Sequence, residues 1–416
     1  MPANNSQPTT GQPTTAFPLI QWEDEGEIRT AYWRSESGAR PPRRIIPVDD
    51  TLTADSAFRH ASEGTGLLWH GDFYNAQQLL KAMIRRLDQA AVAKAKKAAR
   101  KQAKQSAPEG VEQFNLLRMS RAQRARTLGM LLIPIELNHQ IALRRAPDMH
   151  QALQDTWGAP ESEPVEPVDG IVVSLRELQG IAGAHEWRLK GVEVPALGGP
   201  YNRIHPHYGV FSPVRGEYLE LLASAPLPDP MDPSFTAFDI GTGTGVLAAL
   251  LARRGVPHVI ATETDQRALL CARENIARLG LNEQVQVEQT DLFPSGKASL
   301  IVCNPPWLSA RPSTPIERAI YDQDGAMLAG FLNGVAEHLI PGGEAWLILS
   351  DIAERLGLRT RDDLLAMFAA AGLSASGRAN VRPQHPKTTD ASDPLHAARV
   401  DEVTSLWRLI PASADQ

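Results

Sequence analysis

The stretch FDIGTGTGVLA (residues 238–248) joins a short apolar run to a helix-forming run through three glycines. A strand that ends in a glycine-rich turn before a helix is typical of the first unit of a parallel α/β sheet. Gly241, Gly243 and Gly245 allow the backbone to turn sharply and to come close to a ligand. The N-terminus of the following helix faces the same crevice. The stretch therefore predicts a ligand-binding turn at the carboxyl end of a strand.

Apolar runs and helix-forming runs alternate from about residue 235 towards the end of the chain. Short loops between them favour a mostly parallel sheet that is covered by helices on both faces. Gly255 and Gly280 stand where helices of such a sheet usually end. The predicted strands are 235–240, 258–263, 285–290, 298–304, 344–350 and 404–410, and the predicted helices are 245–254, 265–279 and 325–339.

Acidic residues lie at the ends of the first three predicted strands. Asp239 precedes the glycine turn, and Glu263 ends the next strand about 20 residues on, where a ribose hydroxyl pair is held in nucleotide-binding sheets. Asp291 follows the third strand, where it could accept a hydrogen bond from an adenine amino group. Asp265 is an alternative to Glu263, although it suits the N-cap of the following helix better. These strand ends predict a nucleoside-containing cofactor.

The fourth strand of this unit ends in the sequence IVCNPPW (residues 301–307). Asn304 precedes a proline and is therefore held in an extended conformation. Pro305 and Pro306 fix the backbone and remove two N–H donors, which leaves carbonyl oxygens available as acceptors. The Asn304 side-chain oxygen and the Pro305 carbonyl could accept both hydrogens of a planar –NH₂ group, and Trp307 could stack on it. The motif predicts a binding site for an amide or amino nitrogen.

Together these residues resemble the class I S-adenosylmethionine-dependent methyltransferases. The resemblance covers roughly residues 205–410 and is strongest at 238–307. It implies a Rossmann-like, seven-stranded α/β sheet and S-adenosylmethionine as the cofactor. The implied cofactor-binding residues are Asp239, Gly241, Thr242, Gly243, Gly245, Glu263, Asp291 and Leu292, and the implied catalytic residues are Asn304, Pro305, Pro306 and Trp307. The resemblance implies no metal.

The Asn-Pro-Pro-aromatic motif is similar to that of two groups of N-methyltransferases. Release-factor and ribosomal-protein glutamine methyltransferases carry it after a helical domain, and residues 205–222 loosely resemble a segment of those enzymes through Pro213, Arg215 and Glu217. Adenine-N6 methyltransferases of rRNA, tRNA or DNA carry it as well. A protein glutamine is the preferred acceptor and adenine-N6 the alternative. A non-catalytic scaffold that binds the cofactor and assists ribonucleoprotein assembly is a third possibility.

The first half of the chain contains a strongly basic stretch. Between Lys81 and Arg145 there are fifteen Lys or Arg and four acidic residues, whereas the whole chain carries a net charge of −6. This asymmetry indicates either contact with an anionic partner, such as RNA or the ribosome, or a solvated helix face. Residues 75–105 and a second stretch from about Met119, interrupted at Pro134, predict helices. We expect a mainly helical, basic domain at 21–156, a linker with a possible β-hairpin at 157–204, and the methyltransferase domain at 205–416.

Composition limits the remaining possibilities. Residues 1–20 are polar and rich in Pro, Thr and Gln, which predicts a disordered tail without the features of a signal peptide. The two cysteines, Cys271 and Cys303, are far apart and predict neither a disulfide nor a metal site. His205 and His207 are interpreted as packing or substrate-side residues. Without an apolar run long enough to span a bilayer, we expect a cytoplasmic protein with no membrane partner.

Overall fold

The computed structural model describes residues 17–102, 110–160, 167–214, 216–229, 231–312, 314–383 and 395–412. The chain divides into two compact units. The first unit contains residues up to Ala90 and Arg126–Leu178, and the second contains Ala91–Ala125 and Gln179–Gln416. Residues 1–16 of the predicted tail lie outside the described residues, whereas Leu19 and Ile20 already belong to a strand.

The first unit is built on a six-stranded mixed sheet in the order β1-β2-β6-β5-β4-β3. The chain begins with β1 (Leu19–Asp24), β2 (Glu27–Trp33), β3 (Arg44–Val48), α1 (Ala54–Ser62), β4 (Thr65–Trp69), α2 (Phe73–Gln102), α3 (Gly110–Leu128), β5 (Leu131–Ile135), α4 (His150–Trp157), β6 (Ile171–Ser174) and α5 (Leu175–Lys190).

This sheet corrects the prediction of a mainly helical domain at 21–156. Strands β4 and β5 are short apolar runs that are almost entirely buried, so their sequences show no alternation that would distinguish a strand from a helix. Pro134 does not interrupt a helix. It lies in β5 opposite Val172 of β6.

The predicted linker at 157–204 also needs correction. Part of it, residues 161–166, lies outside the described residues. Further along, β6 is a largely buried strand of the first sheet, and α5 follows it directly. A short antiparallel pair, β7 (Val192–Glu193) with β8 (Arg203–Ile204), occupies the end of the range.

The second unit contains the predicted seven-stranded α/β sheet, which is confirmed. Its strand order is β11-β10-β9-β12-β13-β15-β14, and only β15 runs antiparallel to its neighbours β13 and β14. After β8 the elements are α6 (Glu217–Ser224), β9 (Thr236–Ile240), α7 (Val246–Arg253), β10 (His258–Glu263), α8 (Gln266–Arg278), β11 (Val285–Gln289), β12 (Ala298–Cys303), α9 (Ala326–His338), β13 (Leu339–Ser350), α10 (Ile352–Arg355), α11 (Arg361–Ala370), β14 (Leu373–Val381), α12 (His396–Arg399) and β15 (Thr404–Pro411).

Alternate residues of the central strands point into two separate cores. On one face, Ala237 of β9 and Val302 of β12 pack with the apolar side chains of α6, α7 and α8. On the other face, Phe238 and Ile301 pack with α9 and α11. Burial of both faces explains why these strands read as continuous apolar runs. The sheet is thereby rigid at its centre, where the glycine turn and the Asn-Pro-Pro-Trp motif emerge.

Among the described residues, no helix has both the length and the hydropathy needed to cross a membrane.

Candidate active site

The pairing of three central strands brings the predicted site together at one edge of the sheet. Ile240 of β9 is paired with Thr262 of β10 on one side and with Cys303 of β12 on the other. Of the residues that follow these three, Gly241 therefore lies between Glu263 on one side and Asn304 on the other, across the strand ends. This edge is where ligands bind in open α/β sheets.

The turn after β9 requires glycine at each of its three glycine positions. Gly241, Gly243 and Gly245 have φ values of 70°, 57° and 82°, in the left-handed region that other residues rarely adopt. Gly245 also lies against Ala272 of α8, where a Cβ atom would come within 3.4 Å. At Gly243, by contrast, a Cβ atom would meet no described residue within 4 Å. Gly243 therefore borders open space in the crevice.

The Glu263 carboxylate organises the backbone around this turn. One oxygen accepts a hydrogen bond from the N–H of Gly243 at 3.1 Å. The other accepts from the N–H groups of Thr264 at 2.9 Å and Asp265 at 3.0 Å. Burial raises the pKa of Glu263, while these donors oppose that shift. The carboxylate thus links the glycine turn to the next strand end.

Asp239 is fully buried, and its carboxylate accepts hydrogen bonds that hold the glycine turn in place. Its Oδ2 accepts hydrogen bonds from the Thr242 hydroxyl at 2.6 Å and from the Ala248 N–H of α7 at 3.0 Å. Its Oδ1 has no partner among the described residues. Thr242 is also buried, and its N–H bonds to the Thr262 carbonyl at 2.9 Å. Both residues therefore fix the conformation of the turn.

The buried Asp239 gives a pH-dependent prediction for stability. Burial raises the pKa of Asp239 to about 6, from 3.8. A carboxyl group whose pKa is higher in the folded state stabilises the fold below about pH 4, and this contribution is lost as the pH rises through 6. Asp239→Asn has no titrating carboxyl group at this position and does not lose stability in this way. The difference in unfolding free energy between Asp239→Asn and the wild type should therefore shift in favour of the variant by on the order of 3 kcal/mol between pH 4 and pH 7.5. Urea unfolding at several pH values measures this, and parallel pH profiles would contradict it.

Asp291 and Leu292 form the third strand end. Asp291 is exposed, and Leu292 has a φ of 58°, an uncommon conformation for a leucine. The Thr262 hydroxyl donates a hydrogen bond of 2.6 Å to the Leu292 carbonyl, which fixes this strained turn against β10. Strained backbone that the surroundings hold in place is common at ligand-binding sites.

The Asn-Pro-Pro-Trp motif shows a hydrogen bond that the sequence did not predict. The Trp307 indole N–H donates to the Asn304 side-chain oxygen at 2.9 Å. The Trp307 ring is partly buried and packs against three apolar clusters, including both cores of the sheet. Asn304 and Pro306 are half-buried, and Pro305 is buried. Trp307 therefore orients the Asn304 carboxamide, a role distinct from stacking on a ligand.

Sequence reasoning missed the contribution of α3 to this site. Phe114 of α3 is buried in one cluster with Leu308 and Tyr321, which lie in the segment after Trp307. About 190 residues separate α3 from this segment, and no local pattern in either sequence signals the contact. The basic stretch that includes α3 predicted either an anionic partner or a solvated helix face, but Phe114 of α3 packs within the second unit.

The remaining candidate residues have structural roles. His207 is buried and its ring nitrogen lies 3.0 Å from a Glu274 oxygen, while the His205 N–H bonds to the Asn275 side chain at 2.7 Å. Burial raises the pKa of the Cys271 thiol to about 12 and that of the Cys303 thiol well above its usual value. Within the described ranges, no three His, Cys, Asp or Glu residues are arranged to hold a metal ion.

Residues 202–360 match the family model of the methyltransferase small domain. This part of the chain is therefore similar to the methyltransferase small domain, and it contains the central strands of the seven-stranded sheet. The matched range contains the glycine turn, all three strand-end acids and the Asn-Pro-Pro-Trp motif, and S-adenosylmethionine is the cofactor that the family implies.

Curated relatives of the methyltransferase domain act on different acceptors. A release factor glutamine methyltransferase from Cereibacter sphaeroides is 31% identical over 183 residues, which are 41% of this chain and 61% of the relative. A tRNA1(Val) (adenine(37)-N6)-methyltransferase from Bacteroides thetaiotaomicron is 32% identical, over 28% of this chain and 53% of the relative. A ribosomal protein L11 methyltransferase from Pelotomaculum thermopropionicum is 35% identical, over 35% of this chain and 40% of the relative. The chain thus spans about half the length of these relatives.

The strand ends of the methyltransferase domain carry groups that suit S-adenosylmethionine. Gly243 has a positive φ and borders open space that a side chain would fill. Glu263 ends β10, which lies between β9 with its glycine turn and β11, which Asp291 follows, so the two carboxylates are available at neighbouring strand ends. The hydroxyl and amino donors of a nucleoside need such acceptors. The residues present therefore suit the cofactor that the family implies.

Proposed function

We propose that this chain is an N-methyltransferase that acts on a planar amide or amino nitrogen of a macromolecule. The observation that carries the proposal is the position of Asn304, beside Gly241 at the carboxyl edge of the sheet, with its side chain oriented by Trp307. A methyltransferase that acts on oxygen or carbon has no need of an oriented carboxamide at this place. The free, buried cysteines fit a cytoplasmic location.

The proposed roles of the cofactor-binding residues follow from their placement. Glu263 holds the ribose hydroxyls, and Asp291 and the backbone at Leu292 receive the adenine. Gly241, Gly243 and Gly245 shape the cofactor loop, and Gly243, which borders open space, lets the backbone approach the cofactor closely. Asp239 and Thr242, both buried, keep the turn in its conformation.

The acceptor nitrogen is bound and oriented by the Asn-Pro-Pro-Trp motif. S-adenosylmethionine supplies an electrophilic methyl group. The nitrogen of an amide or an adenine amino group is a weak nucleophile because its lone pair is delocalised. A carboxamide oxygen can accept two hydrogen bonds, so Asn304 can bind the acceptor while it keeps its bond to Trp307. Together with the Pro305 carbonyl, it accepts both N–H bonds and draws the lone pair out of conjugation.

A protein glutamine is the preferred acceptor. The similarity to the release factor glutamine methyltransferase extends over 183 residues, whereas that to the tRNA1(Val) (adenine(37)-N6)-methyltransferase of Bacteroides thetaiotaomicron extends over 126. The predicted helical first domain, which also suggested this group of enzymes, does not support the proposal, since the first unit contains a six-stranded sheet.

Adenine-N6 of RNA or DNA is the second candidate. Arginines on and beside α3 favour it, because the side chains of Arg121 and Arg311 are both exposed. Arginine side chains near an acceptor site are suited to phosphate groups of a nucleic acid. Contact with RNA or the ribosome through the wider basic stretch belongs to the same proposal.

Radioactive labelling distinguishes these functions. The purified protein is incubated with tritiated S-adenosylmethionine and an extract of cells that lack the gene, and the product is treated with protease or nuclease. Label that protease releases supports the glutamine acceptor, and label that nuclease releases supports adenine. Cofactor binding without any incorporation of label would contradict the methyltransferase proposal and support the non-catalytic scaffold.

The hydrogen bond from Trp307 to Asn304 gives a prediction of its own. Trp307→Phe keeps an aromatic ring but removes the indole N–H, so the Asn304 carboxamide loses the partner that orients it. We expect the rate of methyl transfer to fall by roughly tenfold, which corresponds to one hydrogen bond of average strength. Label incorporation with saturating cofactor measures it, and an unchanged rate would show that Trp307 does not orient the carboxamide.

A further inference from the structure

The segment that follows the Asn-Pro-Pro-Trp motif forms a closed loop beside it. We call residues 308–312 and 314–322 the acceptor segment. Its two ends are joined by hydrogen bonds from the Leu308 N–H to the Ile320 carbonyl at 3.2 Å and from the Asp322 N–H to the Leu308 carbonyl at 2.9 Å. Because Leu308 follows Trp307 directly, the position of this segment bears on the position of Trp307 and, through its indole, on Asn304.

Helix α3 contacts the acceptor segment at two points. Phe114 is buried against Tyr321, with the two rings edge-on and their centres 6.3 Å apart. Arg118, one turn further along α3, donates a hydrogen bond from its guanidinium to the Arg311 carbonyl. The same guanidinium lies over the Tyr321 ring, 4.7 Å from its centre. Arg118 therefore joins Arg311, in the first part of the loop, to Tyr321, in its returning part.

The opposite side of the acceptor segment is held by a different contact. Arg318 forms an ion pair of 3.2 Å with Asp265, which is the N-cap of α8 and follows closely on Glu263. Both side chains are substantially exposed, so this pair is worth little by itself. Arg118 is half-buried and combines a hydrogen bond with a cation–π contact to the buried Tyr321 ring, so it makes the stronger attachment.

We propose that Arg118 of α3 is a positioning residue for the acceptor site of the methyltransferase domain. It holds the acceptor segment through Arg311 and Tyr321, and thereby keeps Trp307 and Asn304 in the orientation that receives the acceptor. The proposal rests on the function proposed above. It assigns α3, which precedes the methyltransferase domain in sequence, to the acceptor side of the site and not to the cofactor side.

Hydrogen exchange of the full-length, ligand-free protein tests the attachment without any methyl transfer. In Arg118→Ala, the amides of Leu308 and Asp322 are expected to exchange about tenfold faster than in the wild type. Arg121→Ala is the matched control, since it removes the same charge from an exposed position one turn away on the same helix, and it should leave these amides unchanged. Equal exchange in Arg118→Ala and the wild type would overturn the proposal, as would an equal increase in Arg121→Ala.

Kinetics separate positioning from a general loss of structure. With the extract of cells that lack the gene as acceptor, Arg118→Ala is expected to need about tenfold more extract for half-maximal labelling, with the Kd of S-adenosylmethionine within twofold of the wild type. Arg118→Lys should exchange the amides of Leu308 and Asp322 more slowly than Arg118→Ala and should need less extract for half-maximal labelling. The reason is that an ammonium group can still donate to the Arg311 carbonyl. A parallel loss of cofactor affinity, or no difference between the Ala and Lys variants, would overturn the proposal. The exchange result stands even if no acceptor is labelled, so failure of the function and failure of the attachment are distinguishable.

Discussion

Asn304→Ala is expected to lower the rate of methyl transfer by roughly 1,000-fold. Alanine removes the oxygen that accepts a hydrogen bond from the acceptor nitrogen, and it leaves the Trp307 indole N–H without the partner that it has in the wild type. The Kd of S-adenosylmethionine should stay within about twofold, because the backbone of the glycine turn and the Glu263 carboxylate are unaffected. Labelling rates and equilibrium dialysis measure the two quantities separately.

A matched control for this variant is Asn282→Ala, which changes an exposed asparagine in the turn between α8 and β11. It should retain wild-type labelling. Asn304→Ala with a rate within threefold of the wild type would contradict the acceptor site. A large loss of cofactor affinity in the same variant would place Asn304 in the cofactor site.

The second large effect is expected on cofactor affinity. Glu263→Ala should weaken S-adenosylmethionine binding by about 100-fold, or ~2.7 kcal/mol. Glu263 accepts hydrogen bonds from three backbone N–H groups around the glycine turn. Its removal loosens the turn and takes away the proposed acceptor for the ribose hydroxyls, and a lost charged acceptor typically costs a few kcal/mol.

Two further variants test whether the loss of cofactor affinity is specific to the Glu263 carboxylate. Glu263→Gln keeps one acceptor oxygen and should lose less affinity than Glu263→Ala. Glu288→Gln, on the neighbouring strand β11, removes a carboxylate of the same size that does not contact the turn and should bind the cofactor normally. Equal affinities in Glu263→Ala and the wild type would show that this carboxylate does not serve the cofactor.

The sequence predicted the methyltransferase sheet because its central strands carry strong local signals. The three glycines of the turn have positive φ values, and Asp265 caps α8 through the N–H groups of Arg267 and Ala268, as its position after a strand indicated. Strand β14 (Leu373–Val381) was missed because it is a polar edge strand whose residues are mostly exposed. An edge strand of this kind lacks the apolar pattern on which such predictions depend.

The sequence could not predict the parts of the site that depend on tertiary contacts. The Asn-Pro-Pro-Trp motif fixes the backbone of Pro305 and Pro306, but it does not determine which group the Trp307 indole meets. The contact of Arg118 with Tyr321 joins residues that are about 200 positions apart in the chain. The short buried strands of the first unit were likewise ambiguous, since β4 and β5 carry apolar runs that fit a buried helix equally well.

We propose that the glycine turn and the Asn-Pro-Pro-Trp motif form one site with a cofactor side and an acceptor side. A calorimetric titration of S-adenosylmethionine into the wild type and Asn304→Ala, with labelling rates from the same preparations, tests it most directly. We expect a single binding site with nearly equal affinity in both proteins, and methyl transfer in the wild type alone. Absence of binding to the wild type at millimolar cofactor would contradict it, and so would equal labelling by the two proteins.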